Sequence, residues 1–228
     1  MKTGDDRNRL LFSYHPMNSH RIRNLPLFPL KVVLFPGSLL PLHIFEERYK
    51  TLIHECIENH SEFGINLIEN DKIEPTGCSA IVKTVVKEYE DGQMDIAVEG
   101  RTRYTLEHLV DSEAPYFIGE VSFFEDRAEK VNYSLRRRAI ELYNRFVETA
   151  FKGTVMPANE ASSDTKISFL LVQKAGLELK DRQKFLALQS ENERLSTLNS
   201  HFESMLPLLT SREKYDKFVM NDGYLSPS

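Results

Sequence analysis

The sequence predicts an α+β fold, with a β-rich half over about 24–125 and an all-helical half over about 126–210. Three observations carry this. An apolar run near the N-terminus is broken by prolines into short extended pieces. Between Cys78 and Phe124, short alternating segments are punctuated by turn signals. Near Glu125 the apolar period changes from two to 3.6.

The apolar run is LPLFPLKVVLFPGSLLPLHIFEERY, Leu25 to Tyr49, and from Leu25 to Phe45 its one formal charge is Lys31. Its length would suit a membrane helix of about 20 residues. Pro26, Pro29, Pro36 and Pro41 argue against that, since each removes a helix donor and clashes with the preceding turn at about 3 kcal/mol. Two strands, Leu25–Leu30 and Leu39–Phe45, are the better reading. Phe35-Pro36-Gly37-Ser38 supplies the turn, with Pro and Gly where a type II turn needs them.

A helix follows. Glu46 and Glu47 suit its positive dipole end. Tyr49, Leu52, Ile53, Cys56 and Ile57 form one apolar stripe, and Asn59 to Ser61 ends it. Phe63–Glu69 reads as a strand and Asn70–Pro75 as a loop. Cys78–Tyr89 is β-branched and runs into Asp91-Gly92, a strong hairpin signal. Met94–Val98 and Arg101–Leu109 read as separate strands with a turn at Glu99-Gly100. After the loop Asp111–Pro115, Tyr116–Phe124 is the last strand. Such strands predict a small barrel or sandwich.

Asp126 and Glu129 resemble a capping box that opens a helix. Leu135, Ala139, Leu142, Phe146 and Ala150 stripe that helix to about Phe151. A loop with Gly153, Pro157 and Asn159 leads to a helix over Asp164–Lys174, ended by Gly176. A short helix spans Lys180–Leu188. Ser190 and Glu193 cap a last helix striped by Leu195, Leu198, Phe202 and Met205. Residues 1–23 read as a flexible arm and 211–228 as a polar tail.

The net charge of −5 on 228 residues lacks the basic footprint of a general nucleic-acid binder. Cys56 and Cys78 lie far apart, without the ligand spacing of a zinc site, and read as buried free thiols. No metal or other cofactor is expected. The N-terminus shows no apolar leader with a small-residue cleavage site, so a reducing cytoplasm is the expected compartment and no membrane the expected partner.

The apolar run resembles the opening signature of the Lon protease N-terminal, or substrate-binding, domain family, in the form of small stand-alone bacterial members. EPTGCSAIVKTV and MDIAVEGRTRYTL resemble the family's next strands, and FLALQSENERLSTL fits its helical part, so the resemblance covers about 24–206. It implies a PUA-like β-barrel with one embedded helix, followed by a C-terminal helical bundle. It also implies a protein that holds unfolded or tagged polypeptides, or serves as an adaptor to a separate ATPase or protease. The sequence holds no GxxxxGK[ST] phosphate loop and ends at Ser228. The expectation is therefore a binding module with no ATPase or protease activity of its own.

The residues expected to touch a polypeptide are Phe35, Leu39 and Leu40 at the turn, together with Arg48 and its neighbour Tyr49. Exposed apolar surface suits unfolded chains, and the planar guanidinium of Arg48 suits a peptide carboxylate or carbonyl, though pairing with a nearby carboxylate is the commoner use. Other constellations carry less. SxxK occurs at both Ser163–Lys166 and Ser211–Lys214, which shows how cheap it is. His43 reads as a hydrogen-bonded strand histidine. Arg101, Arg103 and Tyr104 allow an RNA-binding alternative, to be judged by whether a basic stripe forms. The run Arg136–Arg138 fans around a helix rather than forming one patch.

Overall fold

A computed structural model describes residues 22–152 and 166–209. In chain order the elements are β1 (Ile22–Leu30), β2 (Leu39–Ile44), α1 (Glu47–Glu58), β3 (Phe63–Glu69), β4 (Lys72–Glu88), β5 (Met94–Val110) and β6 (Phe117–Phe123). Then come α2 (Tyr133–Phe151), α3 (Ile167–Leu171) with a 3-10 turn at Val172–Lys174, α4 (Leu179–Ala187) and α5 (Glu191–Met205).

The strand pairings close on themselves. β1 runs parallel to β3 and antiparallel to β6, β3 pairs β4, β4 pairs β5, and β5 returns to β6. That ring is the small barrel that the resemblance implied. β2 lies outside it, antiparallel to the first part of β5.

One long strand replaces the two expected around Glu99-Gly100. β5 runs unbroken from Met94 to Val110. Gly100 is there for close approach, not for a turn. Gly37 N–H donates to Gly100 O (2.8 Å) and Gly100 N–H donates to Ser38 O (2.9 Å), so the 35–38 turn lies directly on β5. A Cβ on Gly100 would fall 2.2 Å from the Phe35 carbonyl oxygen. Gly100→Ala should therefore destabilise the fold by about 2–3 kcal/mol, because two backbones must separate. Urea denaturation measures this. A loss under about 0.5 kcal/mol, the range of neutral surface changes, would contradict it.

The turn itself forms as expected, with Gly37 at φ +75° and Ser38 N–H donating to Phe35 O at 3.1 Å. The expected loop Asn70–Pro75 is instead a tight hairpin. Asn70 and Asp71 both take positive φ, the requirement of a two-residue primed turn. β4 begins at Lys72, and Pro75 sits where the β3–β4 register shifts.

α1 buries Tyr49, Leu52, Ile53 and Cys56 against Ile44, Met94, Ile96 and Val98. In the helical half, the expected capping box at Asp126 and Glu129 is a correction. α2 begins later and is capped by Asn132, whose side chain accepts from Ser134 N–H and Leu135 N–H. Asp126 and Glu129 are used elsewhere. Glu129 accepts from Ser190 Oγ and Asn192 N–H, tying the 124–132 segment to the start of α5. Ser190 does cap α5, accepting from Glu193 N–H at 3.0 Å. The expected loop residues Gly153, Pro157 and Asn159, the SxxK serines, Asp164, the first 21 residues of the arm and the tail lie outside the described residues.

The two halves share a core. The largest apolar cluster joins Val33, Phe35 and Leu67 to Leu142, Phe146, Phe169, Phe185, Leu195 and Phe202 of the helices. Beside it lies a buried ionic cluster. Arg103 on β5 pairs with Asp126, which also pairs with Arg194 on α5. Arg194 in turn bonds Glu191 (2.8 Å), and Ser168 Oγ donates to Glu191 (2.6 Å). Arg103 also donates to the carbonyls of Leu186 (2.9 Å) and Leu188 (2.5 Å) at the end of α4.

Candidate functional site

β2 is the place to look for a polypeptide-binding surface. It pairs with β5 alone, so its outer backbone edge has no strand partner among the described residues. Its side chains alternate. Leu40, Leu42 and Ile44 turn inward toward α1, while Leu39, Pro41 and His43 face solvent. Leu39 is 53% and Phe45, just past the strand, 59% exposed. Proline at an edge position costs no ladder bond if its missing donor faces outward, which is why an edge strand can hold one.

The five expected contact residues fare differently. Leu39 stands exposed on the strip. Arg48 is also exposed and donates Nε–H to Glu46 (2.9 Å), while its guanidinium lies 4.5 Å from the Tyr49 ring centroid. That is the carboxylate-paired use, made within one turn of α1. Leu40 is half-buried and packs inward. Phe35 and Tyr49 are corrections. Phe35 is 0% exposed, enclosed by Phe169 and Phe185, and Tyr49 is 5% exposed and stacks on Phe28 at 3.9 Å. The Phe35 side chain points into the helical half, while Gly37 at the tip of the turn is exposed. Leu39 and Arg48 are not brought together, because the length of β2, about 17 Å, lies between them. Sequence reading missed Pro41 and Phe45, for which strict alternation from Leu39 was the available signal.

His43 is held as a strand histidine should be. Its Nδ1 lies 2.7 Å from Asp95 Oδ1 and its Nε2 3.0 Å from Gln93 Oε1. Hydrogen bonds from His43 and Tyr89 hold the Asp95 carboxyl below its usual range. No nucleophile is hydrogen-bonded to this histidine.

The arginines do not assemble a basic stripe. Arg103 is 3% exposed and neutralised by Asp126, and Arg101 pairs with Glu99. In the run on α2, Arg136 is buried, Arg137 faces Glu141 and Arg138 faces Glu203. These carboxylate pairings make the face mixed and weaken the RNA-binding alternative. Both cysteines are buried free thiols, and burial pushes Cys78 up to about 12, which keeps it a protonated, inert thiol. Among the described residues no three metal-ligating side chains gather, and no helix is long and apolar enough to cross a membrane.

A closed β-ring sharing its core with a helical bundle, with an apolar edge strand outside the ring, is the class this geometry defines. The profile of the ATP-dependent protease La (LON) substrate-binding domain matches residues 24–204, and the chain belongs to that family. It is 24% identical over 214 residues to the Lon protease of Cytophaga hutchinsonii, covering 87% of this chain and 26% of that one. It is 25% identical over 208 residues to the Lon protease of Vibrio parahaemolyticus, covering 84% and 26%. The chain thus spans about a quarter of the length of these curated relatives. Among solved structures, a Lon N-terminal domain protein from Xanthomonas campestris superposes with a TM-score of 0.62 at 24% identity, covering 78% of this chain and 98% of that one. The N-terminal domain of a Mycobacterium avium complex Lon protease superposes at 0.65 with 14% identity, covering 79% and 98%. These two likenesses establish the fold.

Proposed function

We propose that this protein is a polypeptide-binding module that captures exposed apolar segments of unfolded or tagged proteins along β2. It does so without ATPase or protease activity of its own, as an adaptor or holding factor that delivers clients to a separate ATPase or protease. The observation that carries this reading is the β2 strip, where the side chains of Leu39, Pro41 and Phe45 stand exposed on a strand that pairs, among the described residues, with β5 alone. An extended client gains main-chain hydrogen bonds from such an edge and apolar contact from alternate side chains. Ordering a flexible chain opposes this, so affinity for any one short segment should be weak. Membership of a substrate-binding domain family supports the assignment.

The test is anisotropy of a fluorescent, permanently unfolded protein, with its folded form as control. Leu39→Asp combined with Phe45→Asp should weaken binding roughly tenfold or more, the equivalent of about 1.4 kcal/mol, and should leave the urea midpoint nearly unchanged because both side chains are exposed. Unaltered affinity in that double variant would remove β2 from the mechanism. Binding that falls steeply with added salt would point to charge rather than apolar contact.

A further inference from the structure

β4 outlasts its partner. β3 pairs with β4 from Glu69 opposite Lys72 as far as Phe63 opposite Ala80, and there it stops. β4 continues to Glu88, and among the described residues it is paired there only on its other side, by β5. Where β3 would have continued there is a cleft of about 360 Å³. One wall is the edge of Ile81–Val85 that no described strand pairs. The other is the end of α1, with Cys56 and Ile57, and the turn through His60 and Ser61 that leads toward β3.

The cleft is therefore a vacant strand position. His60 takes a φ of +49°, and Ser61 N–H donates back to Cys56 O (3.0 Å), so the chain is turned out of the helix before it can fill the slot. The floor is apolar, from Ile57, Val82 and Val85. Val85 and Val86 are 40% and 68% exposed, unusual for β-branched side chains on a strand. Lys83, the lysine on the rim, is neutralised by Glu99 at 2.6 Å. The β4–β5 register shifts between Val82 and Thr84 and again between Val85 and Lys87. Such bulges bend a strand, so a long straight partner does not fit, which also guards the edge against open-ended sheet growth.

We infer that this slot binds a short, extended, uncharged segment of another polypeptide, added as a strand beside Ile81–Val85 with a branched apolar side chain in the cleft. The occupant class follows from the walls. An unpaired strand edge recognises an extended backbone, and aliphatic side chains recognise aliphatic ones. The site lies on the opposite side of β5 from β2 and is independent of the β2 surface.

The test uses the full chain labelled with nitrogen-15 and the pentapeptide Ac-Thr-Val-Ile-Val-Thr-NH2. A second peptide is the same sequence N-methylated at its three central amides. Amide shifts on the first peptide should cluster at Ile81–Val85, Ile57 and Ser61, with slowed hydrogen exchange in β4. The N-methylated peptide should bind roughly tenfold more weakly or not at all, since it keeps the side chains and loses the donors. Val85→Glu, at a half-exposed position, should weaken the first peptide similarly and leave other resonances in place. Equal binding of the two peptides would overturn strand addition. Shifts confined to Leu39–Phe45 would overturn the slot and leave the β2 reading standing. Strong protection of the Ile81–Val85 edge in the peptide-free protein would show that the chain fills the slot itself, and would overturn capture of another polypeptide. An absence of shifts anywhere would overturn it too.

Discussion

Phe35→Ala should cost about 3–5 kcal/mol of stability, the range for emptying a fully buried aromatic site. The ring is 0% exposed and lies 6.2 Å from Phe169 and, edge-on, 6.0 Å from Phe185, with the Arg182 guanidinium 5.2 Å from its centroid. It is the aromatic ring that the β-rich half contributes, with Val33 and Leu67, to the core it shares with the helices. The cavity would therefore open at the junction of the halves. Urea unfolding should lose cooperativity as well as midpoint, because the shared core is what couples the two halves. A loss below about 1 kcal/mol would mean the junction repacks freely, and would contradict the shared core.

Arg194→Ala should be comparably costly, about 3–5 kcal/mol, for a different reason. Arg194 is 0% exposed and each of its N–H groups has an acceptor. Nε–H donates to Ser168 Oγ (2.8 Å), Nη1 to Asp126 Oδ1 (2.8 Å) and Leu188 O (2.7 Å), and Nη2 to Asp126 Oδ2 (2.5 Å) and Glu191 Oε2 (2.8 Å). The guanidinium also lies 4.2 Å from the Phe169 ring centroid. With Arg103, Asp126 and Glu191 the cluster holds two charges of each sign. Removing one arginine leaves a buried carboxylate uncompensated, which is the expensive half of breaking a buried pair. Arg194→Lys should recover only part of the loss, because an ammonium has three donors and no planar fork.

The same cluster gives a pH signature. Burial alone would raise the Asp126 carboxyl, but hydrogen bonds and charge from Arg194, then the charges of Arg103 and Lys166, outweigh it and hold the group at about 2. Its unfolded value is about 3.9. A group depressed on folding adds stability above its unfolded value and loses that contribution as pH falls through the folded one. Wild-type stability should therefore drop between about pH 4 and pH 2. In Asp126→Asn, already less stable at pH 6, that part of the slope should vanish. Equal slopes in the two proteins would show that other carboxylates set the acid limit.

These two sites mark where sequence reading ended. The turn at Phe35–Ser38, the α1 stripe and the Asp91-Gly92 hairpin were legible because each depends on residues within one turn of one another. Gly100 looked like a turn residue. What it answers to is the carbonyl of Phe35, far away in sequence. Phe35 looked exposed because turn tips usually are, and its burial depends on helices more than a hundred residues later. Arg103 read as part of a strand face open to RNA, and Asp126 as a helix cap. Their burial follows only when α5 is laid across the barrel. At the candidate site, Leu39 was legible as an apolar residue beside a turn. Alternation from Leu39 put Pro41 and Phe45 on the same face, but nothing local shows that β2 lies outside the ring and leaves that face to solvent.

Whether clients bind along β2 is decided by photo-crosslinking. A photoreactive phenylalanine analogue would replace Leu39 or Phe45 in one pair of proteins, and Leu109 or Leu170 in another. All four positions are exposed apolar sites, at 53%, 59%, 45% and 47%. With a permanently unfolded protein as client, crosslinks should form from positions 39 and 45 and be competed away by excess unlabelled client, while positions 109 and 170 stay at background. Equal crosslinking from all four would mean non-specific apolar adhesion. Crosslinks from 109 or 170 alone would contradict the assignment of the β2 edge.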